Sequence, residues 1–437
     1  MTSQPSASQP RASRLPPSGP SCCEEFAQVG LSRRGFLGGA MATGVATTFG
    51  STVVQVASAP GADAAPAPAR AVMVVLSLRG AADGLSLVVP HGDPVYARAR
   101  PRIAVPAERL LAKDDFFGLH PSLAPLLGMW DSGRMAAVHA AGLPARNRSH
   151  FSAMEELEAA APGSATRSGW LNRLIGADRN PSPLQALQLG GGTPPAALYG
   201  PQPFLSASSI ENVKLAGADQ WDTRKGRPRS LRTLWASQKD GLGAAMQAAF
   251  TAVDTFEPAR TSSTTPSHGA TYPGNDLGRA LAQVARVVRS GVGTEVVTVD
   301  HGDWDMHTDV GNLEWGAMKR NAGEVAGALA AFFTDLGPLG DTVTVVCLSE
   351  FGRRVVENAN WGLDHGYGTV MLLLGAGVRG GYHGRWPGLS AGPDSDLLVT
   401  TDYRSVLAEV VRARFATSTA SVFPGFTPSR VGAMVGQ

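Results

Sequence analysis

The residues Asp300-His301-Gly302-Asp303-Trp304-Asp305-Met306-His307 form the densest group of metal-competent side chains in the sequence. Carboxylates and imidazoles without thiolates suit zinc or a manganese-like ion rather than a Cys-based structural zinc site. The spacings Asp303-x-x-x-His307 and Asp305-x-His307 each set an acid near an imidazole. Further candidates stand elsewhere: Asp83 in Arg79-Gly80-Ala81-Ala82-Asp83-Gly84, Ser149 after Arg148, Glu350 after Ser349, and the pair Asp364-His365. Taken singly, a histidine of this kind reads as a hydrogen-bonded loop residue, and Asp83 reads as a ligand or as a turn aspartate. Taken together, they point to a bound divalent metal. Such an ion lowers the pKa of a hydroxyl or a water and polarises an ester oxygen, which is the chemistry of ester hydrolysis.

Positioning these side chains requires strands that end at a common edge. The run 71–78 is continuous and apolar, suited to a central strand covered on both faces, and it delivers Asp83. The β-branched run 295–299 delivers the Asp300–His307 group, and 342–348 delivers Glu350. A further strand is expected at 135–139. Amphipathic helices are expected at 277–289, 313–336 and, closing the chain, from Tyr403 to Phe415 at spacings i, i+3, i+4, i+7, i+8 and i+12. Strand–helix–strand alternation implies an α/β fold with a mostly parallel central sheet flanked by helices. Acids and imidazoles at the C-terminal ends of such strands lie where open α/β sheets place their sites. Asp364 and His365 precede their strand, 369–374, so that strand must run antiparallel to the others if it shares the site. Ser149 lies at a helix start, where backbone N–H groups and the helix dipole favour an anion. It reads as a nucleophile or as the N-cap, with Ser152 and Glu155 competing for the cap as a capping box. Residues 162–275 look like an insertion over the sheet that shapes a substrate pocket.

The chain has 437 residues and a formal net charge of +2, with no long Lys/Arg block, so nucleic-acid binding is not expected. Its first residues are polar and rich in Pro and Ser. Ser32-Arg33-Arg34-Gly35-Phe36-Leu37-Gly38 then leads into a weakly apolar Gly/Ala/Thr segment reaching about Ala59. Paired arginines before such a segment read as a twin-arginine (Tat) export signal over residues 1–64, with 65–437 as one mature domain. Ala57-Ser58-Ala59 and Ala62-Asp63-Ala64 both offer cleavage sites; Pro60 disfavours the first. An uncleaved membrane anchor is the alternative, weakened by the many Gly, Thr and Ser residues. Cys22 and Cys23 are lost on cleavage, which leaves Cys347 alone in an apolar run and excludes a disulfide framework.

Several motifs carry a family resemblance: Arg79–Leu85, Arg148-Ser149-His150-Phe151, Gly302–His307, Ser349-Glu350-Phe351-Gly352-Arg353, Asp364-His365-Gly366, Gly380-Gly381-Tyr382 and Trp386-Pro387-Gly388-Leu389. Through them the chain resembles a bacterial family of uncharacterised Tat-exported proteins, the domain of unknown function fifteen hundred and one. That family is placed in the alkaline phosphatase/sulfatase-like superfamily. The resemblance implies an alkaline-phosphatase-like fold with one antiparallel strand after His365. It implies export through the Tat translocon to the periplasm, envelope or exterior, and a small-molecule ester as substrate. It also implies Ser149 as nucleophile and a divalent ion, zinc before manganese or calcium, held by Asp83, Asp305, His307, Glu350 and His365. His301, Asp303, Asp364 and Arg148 are expected around them. Where the superfamily has Asp-His, this chain has Glu350-Phe351, which leaves the expected site one imidazole short and His301 as the candidate replacement. That departure keeps a second reading open, a non-catalytic envelope binding protein on a degenerate alkaline-phosphatase-like fold. Formylglycine sulfatase chemistry is disfavoured, because Ser149-His150-Phe151-Ser152-Ala153 is not a Cys/Ser-x-Pro-x-Arg motif.

Overall fold

The run Val72–Leu78 forms a strand buried along its whole length, and its alternate side chains enter two separate cores. Val74, Leu76 and Leu78 pack on one face, Met73 and Val75 on the other. This is the period of two expected of a central strand covered by helices on both sides. In the computed structural model, residues 45–49, 52–56, 68–163, 168–177, 182–190, 193–215, 223–238 and 241–436 are described.

The main sheet is built from β1 (Val45–Phe49), β2 (Thr52–Val56), β3 (Val72–Leu78), β4 (Met135–Gly142), β5 (Ala186–Leu189), β6 (Phe204–Ala207), β7 (Val296–His301), β8 (Val343–Leu348), β9 (Thr369–Gly375), β10 (Gly381–His383) and β11 (Thr401–Asp402). Their order is β1-β2-β6-β5-β7-β3-β8-β9-β4-β10, and β11 also pairs with β4. From β6 through β8 every pairing is parallel. Strand β9 is antiparallel to both β8 and β4, as the position of Asp364-His365 ahead of it requires. The fold is therefore α/β, a mostly parallel central sheet flanked by helices with an antiparallel strand after His365.

The longer helices include α1 (His150–Ala159), α2 (Gly241–Thr261), α3 (Asp276–Ser290), α4 (Ala317–Leu336) and α5 (Tyr403–Arg414). On α3, Leu277, Leu281, Val284 and Val287 are buried at helical spacing against the first core, and Asn275 caps the start by accepting the Gly278 N–H. On the opposite face, α5 buries Val406, Leu407, Val410 and Val411 beside Leu157 of α1. No helix among the described residues is long and apolar enough to cross a membrane.

Two segments hold strands that the sequence did not reveal. Residues 162–275 do more than lie over the sheet, because they supply β5 and β6. Four-residue strands such as Ala-Leu-Gln-Leu are too short to show a period in sequence. The weakly apolar segment before Ala59 contains β1 and β2, a hairpin whose second strand pairs antiparallel with β6. The twin arginines, Cys22, Cys23 and both candidate cleavage sites lie outside the described residues.

Candidate metal centre

Three loops and one helix start meet beyond the C-terminal ends of β3, β7 and β8. Gly80, two residues after β3, has a φ of 112°, and a Cβ there would lie 2.5 Å from the Asp305 nitrogen. Only glycine allows the β3 and β7 loops this approach. Its N–H donates to Glu350 Oε1 at 2.9 Å, and its carbonyl accepts from Arg353 Nη2 at 2.5 Å. Arg353 is fully buried and also donates to the carbonyls of Ala81, Trp304 and Leu363. It thus ties three loops together while donating to Asp305 Oδ1 at 2.5 Å.

Around that oxygen the imidazoles converge. Asp305 Oδ1 lies 3.1 Å from His307 Nε2, 3.3 Å from His365 Nε2 and 3.5 Å from His150 Nε2. His365 Nε2 is itself 3.0 Å from His150 Nε2 and 2.9 Å from His307 Nε2. The ligand atoms of His150, Asp305 and His365 all lie within 4.8 Å of one another.

The other ring nitrogens fix the tautomers. His150 Nδ1 is 2.8 Å from Glu350 Oε1, His365 Nδ1 is 2.9 Å from the Arg148 carbonyl, and His307 Nδ1 is 3.3 Å from Asp364 Oδ1. Each of these oxygens accepts, so each Nδ1 carries a proton and donates outward, and in the neutral ring each Nε2 turns a lone pair inward. Lone pairs at 2.9–3.0 Å repel unless a proton or a cation lies between them. This is the arrangement by which outer carboxylates and carbonyls orient metal-binding histidines.

Electrostatics agree. Asp305, Glu350 and Asp364 outnumber the single guanidinium of Arg353, so the cluster is net negative when its imidazoles are neutral. Burial pulls the His150 pKa down, but hydrogen bonds to Asp305 and Glu350 and their charges more than offset it, and the pKa is pushed up to about 9. Burial also opposes ionisation of Asp305, yet hydrogen bonds from the three histidines and Arg353 hold its carboxyl far below the usual range. Glu350 is held low in the same way, by His150 and backbone N–H groups acting against its burial. Buried histidines outside the cluster behave oppositely: desolvation pushes His120 and His139 down to about 4.

For a tetrahedral zinc with bonds of 2.0–2.1 Å, ligand atoms are separated by about 3.3 Å. The observed separations of 2.9 to 3.5 Å fall on both sides of that value. Two imidazoles and a carboxylate, His150, His365 and Asp305, are a donor set for zinc or manganese and a poor one for calcium, which prefers oxygen.

The residues expected from sequence do not all meet. Asp305, His307 and His365 come together. Glu350 stands behind His150 rather than among the converging atoms, and Asp364 stands behind His307. Arg148 contributes its carbonyl, while its guanidinium reaches Asp396 at 2.6 Å. Asp83 is not in the cluster: both of its oxygens take the Arg100 guanidinium, at 2.5 and 2.9 Å, in a fully buried pair. His301 faces elsewhere, with Nε2 3.1 Å from Glu324 and Nδ1 accepting the Trp304 indole N–H. Asp303 is exposed in left-handed backbone, its carbonyl bonded to Asn321.

Ser149 is the N-cap of α1, exposed, and its side chain makes no cap hydrogen bond. The capping box does not form, because the helix begins before Ser152, whose hydroxyl takes the Asn147 amide. Sequence reasoning missed His150 and Arg353 as site residues. His150 was legible only as the residue after Ser149, and no spacing connects it to positions 305 or 365. The imidazole that stands beside Phe351 is His150, while His301 faces Glu324. Phe351 is buried, its ring centroid 4.9 Å from that of His150 and 5.1 Å from that of His365.

Several solved structures are similar to this chain. Ps i-CgsB shares 10% identity with a TM-score of 0.35, over 82% of this chain and 74% of its own. The C-terminal periplasmic domain of EcEptC from Escherichia coli, in complex with Zn, shares 8% with a TM-score of 0.31, over 76% and 77%. The lipoteichoic acid synthase LtaP from Listeria monocytogenes shares 7% with a TM-score of 0.32, over 80% and 73%. No curated protein matches the chain. The family model described as Protein of unknown function (DUF1501) matches residues 70–407, and the chain belongs to that family.

Proposed function

We propose that this protein is an exported, metal-dependent hydrolase of phosphate or related esters, with Ser149 as the nucleophile. One observation carries the reading: three imidazoles commit their Nδ1 protons outward and aim Nε2 at a single Asp305 oxygen. His150, Asp305 and His365 would hold the ion, with His307 reaching the same oxygen. When bound, a zinc-like ion supplies Lewis acidity to an ester oxygen and acidifies a coordinated hydroxyl.

The chain's own groups have separate tasks. Glu350 orients His150 and Asp364 orients His307, so the nitrogens are set before substrate arrives. The guanidinium of Arg353 keeps Asp305 ionised and fixes it against rotation. Ser149 precedes His150 directly, as the N-cap of a ten-residue helix. There the helix dipole favours the negative charge of a phosphate or of the serine oxygen.

The test combines metal analysis of the purified protein with hydrolysis of p-nitrophenyl phosphate. Wild type should retain or take up one divalent ion and turn over the ester. Ser149→Ala should keep the ion and lose at least about 100-fold in kcat, whereas His150→Ala should lose both. Ion-free wild type that added zinc or manganese does not activate would overturn the proposal. A second reading, an envelope binding protein that does not catalyse, draws on the raised pKa of His150: a proton there bridges the cluster without any ion.

A further inference from the structure

Away from the metal centre, the helix Gly226–Trp235 carries charge that its own stability does not call for. Five of the nine residues from Arg224 to Arg232 are basic, and no acid stands between Asp222 and Asp240. The whole chain has a formal net charge of only +2, so the rest of it is net negative. Lys225 is the N-cap, in left-handed backbone, and the first turn holds Arg227 and Arg229 but no acid. The positive end of a helix dipole favours acids in that turn, so cations there cost helix stability.

Burial divides the helix into two faces. Pro228, Leu231, Arg232 and Trp235, at spacings i, i+3, i+4 and i+7, are half-buried, and Leu231 and Trp235 pack against the first core. Arg232 is committed to that side: its guanidinium lies 4.9 Å from the Phe250 ring centroid of α2 and donates to Asp254 at 2.7 Å. The opposite face is exposed, as are Arg224 and Lys225 ahead of it. It carries Arg227 and Arg229 at its start and Leu234 at its end, and no residue of the helix is fully buried. Leu234 is 68% exposed, more than any other large hydrophobic side chain among the described residues.

Charge and this leucine together select the partner. Four exposed cations, reinforced by the positive end of the helix dipole, attract a polyanion. A nucleic acid supplies phosphates but nothing that gains from an exposed aliphatic side chain. An anionic bilayer supplies phosphates at the level of the cations and acyl chains just below them for Leu234. We infer that the outward face of this helix docks the protein on an anionic phospholipid surface, with Arg224, Lys225, Arg227 and Arg229 at the headgroups and Leu234 entering the acyl boundary. The docking face shares no residue with the metal centre, so either assignment can fail without the other.

The experiment is flotation of the full chain with vesicles of phosphatidylcholine alone or of equimolar phosphatidylcholine and phosphatidylglycerol, with a DNA duplex as the competing polyanion. The protein should float with the anionic vesicles, stay behind with the neutral ones, and be released as salt is raised. The triple variant Arg224→Gln, Lys225→Gln, Arg229→Gln should weaken vesicle binding on the order of 100-fold, at about fivefold per cation. Leu234→Ala should weaken it about fivefold, through lost apolar burial, and leave any binding to DNA unchanged. Both variants alter exposed side chains, so their Tm should stay at the wild-type value. The inference is overturned by flotation with neither kind of vesicle or equally with both, by unchanged vesicle binding in the triple variant, or by DNA competing fully while Leu234→Ala has no effect on flotation.

Discussion

Asp83 and Asp305 both follow the C-terminal ends of neighbouring parallel strands, and both meet an arginine. Asp83 gives both oxygens to Arg100 in a pair whose side chains are 2% and 0% exposed. Asp305 gives one oxygen to Arg353 and turns it toward three imidazoles at a partly open position. The first acid is fully satisfied and closed. The second faces three Nε2 atoms that in the neutral rings bring lone pairs, which a proton or an added cation relieves. A carboxylate at a strand end therefore gains a function only from its neighbours, and in this chain those neighbours come from distant segments.

The contrast can be tested from the structural side first. Arg100→Met strands the Asp83 carboxylate in the core and should cost about 3–5 kcal/mol in urea denaturation. Zinc binding by the fraction that remains folded should be unchanged. Weaker zinc binding together with normal stability would mean that Asp83 belongs to the metal centre after all.

On the other side of the contrast, His365→Ala removes the imidazole that touches both of the others. Zinc affinity should fall by more than about 100-fold, beyond the 10–100-fold expected when only an outer partner is lost. Unfolding should shift far less than for Arg100→Met, since His365 is partly exposed. Asp364→Ala deletes just such an outer partner, the acceptor behind His307, and should weaken zinc by about 10–100-fold. Equal effects for His365 and Asp364 would remove the distinction between converging and orienting groups.

A smaller effect is expected from protons. In the ion-free chain the folded-state pKa of His150 is raised to about 9, above the ordinary value of 6.5. The folded state thus binds this proton more tightly than the unfolded state does. The stabilisation is complete below pH 6.5 and is lost as the pH rises through about 9. Denaturation midpoints of the ion-free protein should fall across that window. Zinc should flatten the curve, because the ion takes the place of the proton on Nε2. A pH-independent midpoint without zinc would contradict the proposed coupling.

The sheet was largely legible in sequence, because β3, β7, β8 and β9 are continuous apolar runs whose burial on both faces leaves a strong signal. The direction of β9 followed from a requirement of the site, that His365 stand where the other strands end. The short strands β5 and β6 were not legible, since four residues carry no period. Of the site, the acids and imidazoles clustered in sequence at 305 and 307 were readable. His150 was not, because its approach to His365 depends on where α1 starts relative to β3. Arg353 was seen as part of a motif but not as a site residue, because its role comes from carbonyls on three loops that only the fold brings together. The misreading of Asp83 has the same origin: Arg100, seventeen positions along, neutralises it.

The central claim, that the lone pairs of His150 and His365 and the Asp305 carboxylate converge to hold one divalent ion, is tested most directly by anomalous diffraction at the zinc edge. Crystals of the protein grown with zinc should show one strong peak within bonding distance, about 2.0–2.2 Å, of His150 Nε2, His365 Nε2 and Asp305 Oδ1. A peak at Asp83, or no peak within reach of Asp305 in zinc-saturated crystals, would contradict it.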